Sequence, residues 1–438
     1  MLLNSVTVGN YRSFVEKTKF ELRPLTLVFG QNGAGKSALI RALPLLAASM
    51  DGRPGQPLAL DSAANRGARF QDILAARPIR KDAILRLELQ LGGANADKPP
   101  LSVQWDLREI PERKQVFVDR IYAVQSDLHF EARMAVLDDI KKLGRYYDVT
   151  LGNEVFAGIE MGFDGLLPNV QEFLSGKWGA SPSASVLFRI LQLRQLAYET
   201  QWLTSVRLPP PRFSLYKGFS PLRLSFDGSA AADALAYDEL VGGDVLPLVS
   251  SWFEKNTKQT LQIQKANDYF SLVLGKVTDS PFVVNFADAG EGLIQVLPVL
   301  VACTMAAIKA TDASTSVVAV EEPECHLHPN LHAPLAEHLC MLIRRNSNVR
   351  YVVETHSEIL LLATQIAIAR GDIDPSQVIV YWARQSADGR SYLDPITFDL
   401  TGKPHGDWPR SVFKEDVAKA KVLFELQHKE WRNASSHT

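Results

Sequence analysis

The apolar positions of the chain fall first into three short runs. Leu2 to Val8 is rich in β-formers, Lys17 to Leu22 is a second candidate strand, and Leu25 to Phe29 is a compact third. The third run ends in a glycine-rich turn, after which SALIRALPLLAAS has the pattern of a helix. Asp51 to Gly67 is polar with Gly and Pro and predicts a loop, while Ile84 to Leu91 alternates as a strand does. Between about 96 and 215 the pattern changes. Candidate helical stretches at Glu131 to Leu143 and Ala184 to Thr204 are separated by Gly- and Pro-containing segments, including Pro209-Pro210-Pro211. Neither a fixed-period repeat nor a sustained heptad pattern is present, which argues against a long coiled-coil arm. From 216 onward strands and helices alternate again. Val317 to Val320 and Arg350 to Val353 read as buried strands, and Val378 to Ala383 with Tyr392 to Phe398 as a hairpin turning near Asp388-Gly389. The whole predicts an α/β fold with a largely parallel sheet. Residues 1–95 and 216–438 form its two parts, and 96–215 an inserted, mainly helical subdomain.

Composition narrows the function classes. The chain has 438 residues, 46% hydrophobic and 22% charged, which excludes a wholly disordered, collagenous or many-span membrane protein. A net charge of -2 gives no global field for nucleic acid, so any such contact needs a local patch. Three short basic runs qualify: Arg77 to Lys81, Arg108 to Lys114 and Lys141 to Arg145. Cys303, Cys325 and Cys340 are odd in number and form no C-x-x-C pair, which fits reduced thiols in a cytoplasmic protein. The first residues lack the charged and apolar regions of a signal peptide. The longest apolar run, LIQVLPVLVACTMAAI, is shorter than the roughly 20 residues of a membrane span and predicts a buried helix.

Chemistry enters at Gly30-Gln31-Asn32-Gly33-Ala34-Gly35-Lys36-Ser37, a G-x-x-x-x-G-K-S loop between a predicted strand and a predicted helix. Glycines at 30, 33 and 35 let backbone N–H groups close around phosphate oxygens. Lys36 would reach the β- and γ-phosphates, Ser37 would ligate Mg²⁺, and the helix N-terminus adds a favourable dipole. A second block, Val317 to Glu324, ends an apolar strand in acids: Glu321 is the expected Mg²⁺ carboxylate and Glu322 the general base for an attacking water. A third, Val352-Val353-Glu354-Thr355-His356-Ser357, places His356 where a γ-phosphate would lie. A fourth, Asp288-Ala289-Gly290-Glu291-Gly292, opens the apolar helix with a terminus suited to phosphate.

In this order the four blocks resemble the ABC-type ATPases of the RecF/SMC/OLD group, in particular compact arm-less members with an E-P-E-x-H-L-H-P block, here Glu322 to Pro329. Asn10-Tyr11-Arg12-Ser13-Phe14 is similar to that group's N-F-R-S-F entry, whose basic residue lies near the nucleotide, pointing to Arg12. Asp288 to Gly292, followed by Gln295-Val296-Leu297-Pro298, sits where the family has its signature, with Ala289 in place of the usual Ser or Val. Gly406-Asp407-Trp408-Pro409 and Phe413 resemble the family's ends, and Gln71 is the candidate Q-loop residue beside the metal.

The resemblance implies a P-loop ABC-type ATPase head with a mixed sheet, using ATP and Mg²⁺. It also implies a homodimer or higher homo-oligomer that sandwiches ATP between the P-loop of one chain and the Asp288–Gly290 signature of the other. The implied role is a molecular switch controlling a separately encoded effector, a nuclease or toxin, in antiphage defence. The alternative is a RecF-like ATPase that repairs or clamps DNA directly. The acids expected of a TOPRIM nuclease and the L-S-G-G-Q of a transporter subunit are both missing from the sequence. A zinc reading of Glu324, His326, His328 and His332 competes with their place in the family's D-loop.

Overall fold

The computed structural model describes residues 2–75, 83–92, 99–136, 143–170, 181–276, 283–311 and 316–408. Its centre is a seven-stranded mixed sheet. Strands β12 (Thr200–Leu203), β17 (Ser316–Glu321), β18 (Val349–Glu354), β3 (Leu25–Gly30) and β19 (Val378–Gln385) run parallel in that spatial order. The sheet closes with antiparallel β20 (Ser391–Phe398) and the short β21 (Pro404–His405). Strands β3 and β18 are buried along their whole length. They read as continuous apolar runs because parallel strands are covered on both faces. Val317 and Ala319 point to one core, Val318 and Val320 to the other.

Helix α1 (Lys36–Met50) lies on the first face, supplying Leu39, Leu43, Leu46 and Met50 to its core. The second face carries α5 (Glu291–Lys309), α6 (His332–Arg345) and α7 (Glu358–Ala369). By length and composition α5 is apolar enough to cross a membrane, yet 78% of that window is buried inside the fold, where it is the central core helix. Burying its large aliphatic side chains is worth roughly 1.5–3 kcal/mol each. Flanking it are α3 (Ala231–Val241), α4 (Val245–Thr257) and a small antiparallel sheet of β13 (Ser214–Leu215), β14 (Gln259–Ala266), β15 (Tyr269–Lys276) and β16 (Val283–Asn285).

An eight-stranded antiparallel sheet covers the far side of α1. Its order is β2 (Thr18–Glu21), β1 (Leu2–Gly9), β4 (Ile84–Gly92), β5 (Leu101–Ile110), β6 (Gln115–Gln125), β7 (Leu128–Met134), β8 (Tyr146–Leu151) and β9 (Glu154–Glu160). The expectation of a mainly helical insertion over 96–215 is therefore corrected. Strands β5 to β9 extend a sheet begun by β1 and β4, a hairpin of β10 (Gly162–Asp164) and β11 (Leu167–Asn169) follows, and among the described residues the longest helix of the region is α2 (Ala184–Gln192). Glu131 lies in β7, not a helix; 137–142 fall outside the described residues, and Thr200–Leu203 is strand. The sequence signal was masked because the solvent face is charged. Arg86–Asp106, Arg108–Asp119 and Arg120–Glu131 pair there while Leu85, Leu87, Val103 and Trp105 face α1. Of the three basic runs, Arg77 to Lys81 and part of Lys141 to Arg145 lie outside the described residues, as do Pro409 and Phe413.

Candidate functional site

The C-terminal ends of β3, β17 and β18 converge beneath the start of α1, at one edge of a cavity of about 1160 Å³. The loop after β3 holds its shape through glycine. Gly30 has φ 151° and a Cβ there would lie 2.3 Å from the Ala383 carbonyl oxygen. Gly35 has φ 88° and sits against the Ser13 and Ser391 hydroxyls. Side chains at either place would push the loop off β19 or off the N-terminal segment.

Lys36 is 4% exposed and its Nζ donates to the carbonyls of Gly30 (2.9 Å) and Gln31 (2.8 Å). Burial lowers its pKa, with Glu354 and Glu322 acting in the opposite direction. Asn32, Gly33, Gly35, Lys36 and Ser37 line the cavity; Gly30 and Ala34 do not. Arg12 lines it too, donating to Asn65 Oδ1 (3.3 Å) and the Asp72 carbonyl (3.4 Å).

Two carboxylates end neighbouring strands in register, Glu321 on β17 and Glu354 on β18. They meet two α1 residues one turn apart. Ser37 Oγ donates to Glu354 Oε1 at 2.8 Å. Arg41 donates to both Glu321 oxygens, at 2.7 and 2.5 Å, and Trp202 Nε1 adds a third bond at 3.1 Å. Glu321, the expected metal carboxylate, is therefore not the one brought to Ser37. Its carboxylate is committed to Arg41 and lies off the cavity, and the carboxylate on Ser37 is Glu354. Gln71 is also displaced, donating to Glu109 at 3.0 Å on the surface while its neighbour Asp72 lines the cavity.

Glu354 Oε2 is buried without a partner. Desolvation pushes the carboxyl up to about 7, with the Ser37 bond pulling down and Glu321 pushing up. Ligand atoms of Glu322, Glu354 and His356 all lie within 4.8 Å of one another. An orphaned carboxylate oxygen beside a serine hydroxyl, with a second carboxylate near, is an oxygen-rich donor set that suits Mg²⁺. Glu322 has φ 43° and its N–H is tied to the Glu354 carbonyl (2.9 Å), which turns the chain out of the strand and puts its side chain on the cavity wall. Burial followed by the Lys36 charge lowers the His356 pKa, favouring a neutral imidazole. Glu324 fixes this histidine's backbone: its Oε1 accepts from the Thr355 hydroxyl (2.8 Å) and the His356 N–H (2.6 Å).

Among these residues the sequence reading missed Glu354 and the hairpin tip Asp388-Gly389-Arg390, which lines the outer cavity. A strand-end acid directly before the histidine turn was the available signal for Glu354. The tip is placed by Ser391, whose N–H donates to the Ser13 carbonyl (2.9 Å) and whose hydroxyl meets the Ser13 hydroxyl (2.7 Å).

Asp288 and Gly290 are not part of this cavity. Asp288 is held by Arg212, bidentate, on the surface. Gly290 caps α5 at φ −59° with open space around its Cβ position. The histidines of the D-loop do not gather: His332 bonds Ser357 (2.8 Å) and the Leu327 carbonyl (3.1 Å), and His328 caps a short turn at Asn330.

Residues 1–74 match a family model described as an AAA ATPase domain. Residues 246–363 match one described as "AAA domain, putative AbiEii toxin, Type IV TA system". None of the curated proteins matches the chain. Similar solved structures include an SMC head bound to the C-winged helix domain of ScpA, at 11% identity over 91% of this chain and 98% of that one, TM-score 0.49. The SMC head domain from Thermotoga maritima gives 11% identity, 90% and 99% coverage and 0.43. An SMC head with an extended coiled coil, bound to the C-terminal domain of ScpA and derived from Pyrococcus furiosus, gives 12%, 97%, 99% and 0.46. Scores below 0.5 at such identities say nothing of shared activity. The two family matches take in the P-loop, the acidic strand and His356, and support an AAA-type P-loop ATPase.

Proposed function

We propose that this P-loop ATPase is an ATP-hydrolysing switch that closes as an ATP-sandwich homodimer in the cytoplasm and controls a separately encoded effector. The observation that carries the catalytic part is the convergence of Lys36, Ser37, Glu354, Glu322 and His356 on one cavity. Ser37 and Glu354 would hold Mg²⁺, which when bound with ATP supplies charge to the β- and γ-phosphate oxygens. Lys36 presents an ammonium already desolvated against the loop. Glu322 takes the proton of the attacking water, and the neutral His356 imidazole orients that water or the terminal phosphate. Glu354→Gln is expected to weaken Mg²⁺-dependent ATP binding about tenfold and leave Mg²⁺-free binding unchanged. Equal weakening with and without Mg²⁺ would move the metal elsewhere. The same variant tests the carboxyl itself. A folded-state pKa of about 7, above its ordinary 4.5, favours the fold fully below 4.5 and withdraws that as pH rises through 7. Thermal unfolding of the nucleotide-free Glu354→Gln protein is therefore flatter across that interval than wild type.

The dimer rests on Gly290. An exposed helix N-terminus outside its own nucleotide cavity is available to a nucleotide held by a second chain. Gly290→Arg fits the monomer, since its φ suits any residue and its Cβ meets nothing. It is expected to keep monomer ATP affinity and to lose ATP-dependent dimerisation in sedimentation. Dimerisation at wild-type strength would remove Gly290 from the interface.

The effector role is supported by the toxin–antitoxin description of the matched 246–363 model. Tagged Glu322→Gln protein purified from its host with ATP tests it: a stoichiometric second protein supports the switch, and a bare dimer carrying DNA favours the clamp.

A further inference from the structure

Arg207 is 1% exposed, the second largest fully buried side chain among the described residues, and its side chain donates to backbone carbonyl oxygens rather than carboxylates. Its Nη2 donates to the carbonyls of Glu321 and of Glu322 (3.3 Å), at the turn where the strand ends and the general base emerges. Its Nη1 donates to the Gln295 carbonyl (3.2 Å) and its N–H to Gln295 Oε1 (2.9 Å). Gln295 Nε2 returns a bond to the Arg207 carbonyl (2.7 Å) and gives another to Glu291 Oε1 (2.8 Å), in the first turn of α5. A continuous chain of hydrogen bonds thus joins the Gly290 end of α5 to the backbone of Glu322. A second contact runs alongside it, since a Cβ on Gly292 would lie 2.5 Å from the His326 carbonyl of the loop after Glu322.

A buried guanidinium hydrogen-bonded only to carbonyls is expensive, even with the Glu324 and Glu321 charges acting to offset the cost. Desolvation lowers its pKa to about 10, and its Nε has no partner. A methionine would fill the same space without that penalty, so packing does not account for the arginine. What the arginine does that methionine cannot is hold two successive carbonyls at a residue with φ 43°, a conformation that non-glycine residues adopt only when their surroundings fix it.

We infer that Arg207 is a positioning residue, which ties the start of α5 to the Glu322 backbone so that engagement of Gly290 by a partner's nucleotide sets the catalytic carboxylate of the same chain. This rests on the reading of Glu322 as base and Gly290 as the trans contact. Coupling of this kind needs an element that both sites bias, and the Gln295–Arg207–Glu322 link is that element.

The test is a double-mutant cycle in single-turnover ATP hydrolysis with Arg207→Met and Glu322→Gln, alongside ATP affinity and thermal unfolding. Arg207→Met alone is expected to cut the hydrolysis rate about tenfold or more with ATP affinity within twofold of wild type. In the Glu322→Gln background it adds no further loss beyond about twofold, because the group it positions is already gone. A second tenfold loss in that background would show a general structural role and overturn the inference, as would an unaffected rate in the single variant. Gln295→Met keeps the guanidinium and its bond to the Gln295 carbonyl, and removes the side-chain bonds that join the Arg207 backbone to Glu291 at the start of α5. It is expected to hydrolyse slowly while still dimerising with ATP, and it carries the test if Arg207→Met does not fold; wild-type turnover in Gln295→Met would overturn the coupling. Failure of Glu322→Gln itself to slow hydrolysis would instead remove the underlying reading of the base, a result the cycle reports separately.

Discussion

Lys36→Ala is expected to lower ATP affinity by at least about a hundredfold. The ammonium is the one cation of the phosphate loop itself, and it is already desolvated, so little more hydration is lost when it meets phosphate. Its two loop bonds would be exchanged for bonds to phosphate oxygens, each charge-assisted bond being worth about 1.5–3 kcal/mol. Two such bonds span roughly 3–6 kcal/mol, hence two or more decades of affinity. Titration with a fluorescent ATP analogue checks this. Affinity within threefold of wild type would show that the glycine loop is not the phosphate site.

Glu322→Gln is expected to bind ATP at wild-type strength and to hydrolyse it at least about a hundredfold more slowly, in line with loss of a general base. The amide is nearly isosteric, and the φ 43° turn is held by backbone bonds to Glu354 and Arg207, so the cavity keeps its shape. Single-turnover hydrolysis with separately measured affinity separates chemistry from binding. Turnover within a few-fold of wild type would place the base elsewhere, with Glu324 next in line through its contact to His356.

The phosphate loop, the acidic strand and the histidine turn were legible because each couples a local pattern to a strand end. Asn32, Gly33, Gly35, Lys36, Ser37, Glu322 and His356 all line one cavity. The surroundings of Glu321 depend on something no local pattern contains. Its carboxylate is claimed by Arg41, one helical turn beyond Ser37, and the pairing depends on α1 crossing both strand ends. Glu354 had a strand-end signal that the neighbouring histidine overshadowed. The hairpin tip at Asp388 to Arg390 was expected only as a turn, because its closeness to the phosphate loop follows from β19 pairing with β3 across more than three hundred residues. Helical character over 96–215 was expected because one-sided antiparallel strands with charged outer faces lack the β-branched runs that mark a buried strand.

The separation of Gly290 from its own cavity gives the account its central claim, that ATP joins two chains. Light scattering of Glu322→Gln protein with and without Mg²⁺ and ATP tests it most directly. The expected result is a change from the 48.5 kDa chain without nucleotide to twice that mass with it. A protein saturated with ATP that remains at 48.5 kDa would contradict it.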